Sequence, residues 1–142
     1  MQQFAHSKLQ GEWVEVLFIA ECLRRGFICA KPYGDSAAYD FIVECSRKRL
    51  SRVQVKSVSV RPANGIYHVA TMRSVASNKK PYRAGDFDFL AAYIIPRGLW
   101  YIIPAREVFG IKMISLCPAP LGPRPRRRRL EKYRQAWRLL RS

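Results

Sequence analysis

Across residues 7–25, Leu9, Trp13, Val16, Leu17, Ala20 and Leu23 recur at helical spacing, which predicts one long amphipathic helix. Ser7 is placed to cap its start, and Arg24-Arg25-Gly26 offers basic residues and a glycine at its end. The period then changes. Residues 27–30 are short and apolar, a strand entering a turn at 32–34. Residues 39–45 and 50–60 read as two strands joined by a polar turn at 46–49, an antiparallel hairpin. Asn64-Gly65 signals another turn, and 66–72 a fourth strand. The polar stretch 73–83 reads as a loop. Residues 88–95 and 99–103 form a further hairpin around Pro96-Arg97-Gly98, and 104–108 one helical turn. The proline-rich stretch after Cys117 cannot sustain a hydrogen-bond ladder and reads as a linker. Leu130, Tyr133, Trp137 and Leu140 then fall on one helical stripe. The expected fold is α/β, of the α+β kind. An N-terminal helix packs on a mixed, mostly antiparallel sheet (1–117), followed by a linker (118–129) and a basic amphipathic helix (130–142).

Charge sharpens the picture. The 142 residues carry 26 Lys+Arg against 10 Asp+Glu, a formal net charge of +16. Residues 121–142 hold nine basic residues and one acidic, so the tail and the body supply +8 each. Such an excess favours a polyanionic partner. Cys22, Cys29, Cys45 and Cys117 form no C-x-x-C pair and no zinc spacing. The N-terminus lacks the pattern of a signal peptide, and no apolar run approaches the roughly 20 residues of a membrane span. A cytoplasmic, nucleoid-associated protein with no membrane contact is expected.

The candidate chemistry lies on the first hairpin. Asp40 opens the strand Tyr39-Asp40-Phe41-Ile42-Val43. Gln54 and Lys56 are two apart in Arg52-Val53-Gln54-Val55-Lys56-Ser57-Val58, so they share one strand face while Val53 and Val55 take the other. A carboxylate, an amide oxygen and a cation on one face suit a phosphate held through a divalent ion. Asp40 can supply an anionic ligand, Gln54 a neutral one, and the Val55 carbonyl a third. Taken singly, each residue has an ordinary explanation as a turn aspartate or a solvated strand lysine; the combination carries the argument.

A helix with Gly11 and Glu15, then Gly26, Asp40 and Gln54-x-Lys56 resembles the PD-(D/E)xK nuclease superfamily. The likeness is greatest to the group I intron homing endonucleases and their relatives, in which glutamine replaces the second acid. It rests on Lys31-Pro32-Tyr33-Gly34-Asp35 with Tyr39-Asp40, on Val53-Gln54-Val55-Lys56-Ser57, and on Phe87-Asp88-Phe89 through Trp100-Tyr101-Ile102-Ile103-Pro104. It spans roughly residues 8–110. The resemblance implies a restriction-endonuclease-like core, with Asp40 as metal-binding aspartate, Gln54 as second ligand and Lys56 as catalytic lysine. Glu15 corresponds to the helix glutamate, with Glu12 the competing choice. It further implies Mg²⁺ (Mn²⁺ as substitute), cleavage of double-stranded DNA, and a homodimer or homotetramer, since cutting two strands needs two sites.

Lys31, Arg73, Lys79, Lys80, Arg83 and Arg126, Arg127, Arg128 and Arg129 are expected DNA-backbone contacts. Asp35 reads as an Asx-turn residue, and Asp86 and Asp88 as structural acids at a strand entrance. His6 and His68 have no partner at ligand spacing. Two other functions stay open: a Holliday-junction-resolvase-like nuclease, and a non-catalytic DNA-binding protein in which Gln54 marks a lost site.

Overall fold

The computed structural model describes residues 6–118 and 128–141. Among these residues one long helix, α1 (Ser7–Arg24), is followed by nine strands. They are β1 (Ile28–Ala30), β2 (Phe41–Glu44), β3 (Leu50–Val58), β4 (Tyr67–Ala70), β5 (Met72–Val75), β6 (Asn78–Pro81), β7 (Phe89–Ile94), β8 (Leu99–Pro104) and β9 (Met113–Leu116). The main sheet has the order β1-β2-β3-β7-β8. Its pairs are antiparallel except β3 with β7, which run parallel. The expected helix on a mixed, mostly antiparallel sheet is what forms.

Local chemistry sets the ends of α1. The His6 ring, rather than Ser7, caps the start by accepting the Leu9 N–H at 3.1 Å. At the far end Gly26 takes φ +79°, and the Gly26 and Phe27 N–H groups donate back to Leu23 and Cys22 carbonyls. This is a Schellman ending, for which glycine's freedom at positive φ is needed.

The buried face of α1 differs from the expected stripe. Val14, Phe18 and Cys22 are buried, whereas Val16 and Leu23 are 62% and 59% exposed. The helix is apolar on more than one side, so periodicity alone admits both faces. Phe18 decides between them: its ring lies 5.5–5.8 Å from those of Phe41, Trp100 and Trp137.

Three further departures matter. The stretch read as a loop at 73–83 contains a two-stranded ribbon, β5–β6, with Met72 opposite Pro81 and Val75 opposite Asn78. The fourth strand splits at Thr71, whose hydroxyl and N–H bind the Ile111 and Lys112 carbonyls, and β4 pairs with β9. The continuous C-terminal helix is replaced by two short 3-10 turns, Glu131–Tyr133 and Trp137–Leu140. The reason is Gln135 at φ +52°: its N–H donates to Trp100 O (2.7 Å) and its side-chain oxygen accepts the Trp100 N–H (3.1 Å). Those bonds pin the segment to β8 and break helical winding. Its stripe residues Leu130, Tyr133, Trp137 and Leu140 are nevertheless all buried, joined to the same core as α1.

Candidate active site

The β2–β3 register begins with Phe41 opposite Val53; Asp40 lies just before it, and Gln54 and Lys56 follow Val53 on β3. The Asp40 N–H donates to Val53 O (2.9 Å), and Asp40 Oδ2 accepts the Val55 N–H (2.8 Å). That second bond lashes the carboxylate to the strand carrying Gln54 and Lys56. Gln54 Nε2 donates to Val55 O at 3.4 Å, so its Oε1 points away from that carbonyl. Lys56 Nζ donates to Met72 O at 3.3 Å and stands 5.6 Å from the centre of the Tyr82 ring. Asp40 and Lys56 therefore lie close enough for each charge to act on the other, and Gln54 stands between Val53 and Val55, the two residues whose backbone binds Asp40.

Glu15 reaches them from α1. Its Oε2 binds Lys31 Nζ at 3.0 Å, and its charge acts on Asp40. Glu12, the competing choice, is exposed to solvent. Lys31, expected on DNA, is thus engaged by the helix glutamate at the edge of a cleft lined by Gly34, Asp35, Tyr39 and Asp40. Ser57, one residue beyond Lys56, faces α1 and accepts from Gln10 Nε2.

Electrostatics follow from burial. Desolvation pushes the Asp40 carboxyl up to about 6, against the Val55 hydrogen bond; Glu15 adds to the rise, while Lys56 and Lys31 oppose it. Desolvation also lowers the Lys56 ammonium, with Asp40 opposing and Lys79 adding to the fall. Burial raises the Tyr82 hydroxyl. Tyr82 was not legible as a site residue: it sits in a polar stretch, and only the β5–β6 ribbon brings it beside Lys56.

A measurable pH effect results. An acid whose folded pKa stands above its unfolded value of 3.8 weakens the fold as it ionises. The cost is absent below that value and complete above the folded one. At 1.36 kcal/mol per pKa unit, it is roughly 3 kcal/mol at pH 7. Asp40→Asn cannot ionise there. In urea titrations without divalent ions, parent and variant should be close near pH 4, and the variant should lead by pH 7. A difference that does not change with pH would contradict this account.

The remaining basic residues are distributed more widely. Arg73 pairs with Asp86 at 3.3 Å, and Asp86 also accepts the Arg83 N–H. Lys79, Lys80 and Arg83 are exposed. Arg128 is exposed, Arg129 pairs with Glu107, and Arg126 and Arg127 lie outside the described residues. Asp88 holds Arg52 through its backbone N–H (2.8 Å) and guanidinium (3.1 Å), clamping β3 to the entrance of β7 as a structural acid does.

Among the described residues, no three His, Cys, Asp or Glu side chains cluster as a metal site. A hard divalent cation needs only one or two carboxylates when neutral oxygens and water complete its shell. Asp40, whose half-buried carboxylate accepts the Val55 N–H, and the Gln54 side chain on that strand have the chemistry of such a set.

Residues 5–140 match the family described as PD-(D/E)XK endonuclease. The chain belongs to that family. The match extends the likeness from roughly residue 110 to the end of the packed tail. In structure, this PD-(D/E)XK endonuclease is similar to the bacterial homing endonuclease I-Ssp6803I. The identity is 31%, with 96% of this chain and 93% of the other covered, at a TM-score of 0.81. No curated protein matches the sequence. Among the described residues no helix is long and apolar enough to cross a membrane.

Proposed function

We propose that this endonuclease hydrolyses phosphodiester bonds in double-stranded DNA with the help of a divalent cation, Mg²⁺ first and Mn²⁺ as substitute. The observation that carries the reading is Asp40, bonded to the Val55 N–H on the strand that carries Gln54 and within reach of the Lys56 charge. Asp40 would hold the ion, joined by the Gln54 side-chain oxygen and the Val55 carbonyl once the Gln54 amide, which donates to that carbonyl, has turned. When bound, the ion activates water and offsets charge on the phosphate oxygens.

The protein's own groups do the rest. The Lys56 ammonium donates to the attacking water and to a non-bridging phosphate oxygen, stabilising charge as it builds. Its neighbours Met72 O and Tyr82 keep it in place. Glu15 steadies the approach from α1 through Lys31. The +16 net charge draws the polyanion in. Cutting both strands calls for two such sites, hence a homodimer or homotetramer working on nucleoid DNA in the cytoplasm.

The test is a supercoiled plasmid incubated with the purified chain. Nicked and linear forms should appear with Mg²⁺ and disappear with EDTA. A plasmid left intact under both Mg²⁺ and Mn²⁺ would overturn the reading. Offering a four-way junction beside linear duplex distinguishes the resolvase alternative, which would cut the junction far faster.

A further inference from the structure

The β5–β6 ribbon touches the chemistry above only through its base. Met72 O, at its base, accepts Lys56 Nζ. Arg73 is tied to Asp86, and Tyr82, just after the ribbon, is buried edge-on against Phe87 at 4.9 Å. Beyond this base the ribbon stands clear: among the described residues it pairs with no other strand, and residues 74–80 are exposed on both faces. Between residues 72 and 83 there are four basic residues and no acidic one. A segment that contributes so little to the core has a fixed root and a bare, cationic tip.

Size and chemistry select its partner. Four residues per strand at about 3.3 Å each give a projection of roughly 13 Å, more than the ~8.5 Å depth of the DNA major groove. Two strands about 4.8 Å apart, with side chains, fit a groove about 12 Å wide and not one of about 6 Å. Register sorts the side chains. Val75 and Asn78 form the closing pair on one face with Arg73 and Lys80; Ser74 and Lys79 share the other. An amide can bond an adenine edge, and an apolar side chain can contact a thymine methyl. Lys79 and Lys80 are the right type for flanking phosphates.

We propose that the β5–β6 ribbon is the base-reading element of this endonuclease, entering the major groove beside the scissile phosphate with Val75 and Asn78 at the base edges. Lys79 and Lys80 grip the backbone on either side and set the depth of insertion. The inference rests on double-stranded DNA being the substrate.

The test separates the two. A randomised duplex pool is retained on the full-length chain without divalent ions, and the bound fraction is sequenced. The parent should enrich a motif. Asn78→Ala should lose preference at one base position by about 10-fold, the size expected of a single good edge contact. Lys79→Ala should weaken retention across all sequences and lower the salt slope by about 1. Leu50→Ser, at the exposed start of β3, serves as control and should keep the parental motif. If Val75→Ala and Asn78→Ala both enrich the parental motif unchanged, the ribbon is not the reader. A changed motif in a chain that cuts no plasmid upholds the ribbon and sinks only the cleavage reading. Failure to retain any duplex overturns both.

Discussion

Lys56→Met should cut DNA about 10³-fold more slowly than the parent while folding at least as stably. The expected loss follows from removing one charge-stabilising donor at the reacting phosphate, typically worth 10²–10³ in rate. The second half of the prediction comes from burial. Desolvation already disfavours the Lys56 ammonium, and its hydrogen bond to Met72 O is a long one at 3.3 Å. Methionine keeps the stem and discards the charge, so the fold loses little and escapes a desolvation cost. A lysine kept for structure would behave the other way, losing stability and leaving the rate alone. Single-turnover cleavage and urea unfolding on the same preparation decide between them. Asp40→Ala is the companion variant: it should abolish cleavage and also lower divalent-ion affinity in calorimetric titration, which Lys56→Met should not.

The expected divergence of the two variants in metal binding follows from how the two side chains are held. Asp40 is bonded to β3 through the Val55 N–H and is half-buried. Lys56 sits two residues further along the strand, reaching toward the ribbon and Tyr82. One residue offers an oxygen, the other a positive charge, and the strand fixes their separation.

The parts of this site that were legible in the sequence are those governed by strand alternation. Gln54 and Lys56 had to share a face once β3 was recognised, and the short turn to β2 put Asp40 at the neighbouring end of the paired strand. The ion pair between Glu15 and Lys31 was not legible, because it depends on how α1 sits over β1, sixteen residues apart in the chain. The helix itself was clear, but its buried face was not, since Val16 and Leu23 compete in pattern with Phe18. The ribbon was hidden by composition. Lysine, asparagine and proline are poor strand residues, and its turn uses Ala76 at φ +53° where a glycine or asparagine would have signalled it. What holds it is pairing and anchoring at the root, which no local preference reveals. In the tail, the apolar spacing was read correctly and the conformation was not: two reciprocal hydrogen bonds between Gln135 and Trp100 outweigh the helical tendency of a short segment.

The tail therefore belongs to the body's core, and Trp137 is where this is tested most severely. Its ring lies 5.8 Å from Phe18 and 5.7 Å from Trp100, with the Arg25 guanidinium 4.2 Å above it. Truncating a buried aromatic of this kind typically costs 3–5 kcal/mol, so Trp137→Ala should lose about 4 kcal/mol in urea unfolding. Trp137→Phe should cost far less. The indole Nε1 is buried without a hydrogen-bond partner among the described residues, and leaving such a donor unpaired costs on the order of 1–3 kcal/mol. Phenylalanine removes that liability and keeps an aromatic ring facing Phe18, offsetting much of the lost area. If Trp137→Ala unfolds within about 1 kcal/mol of the parent, the basic segment is an appendage after all, and its arginines are free to act as a separate arm.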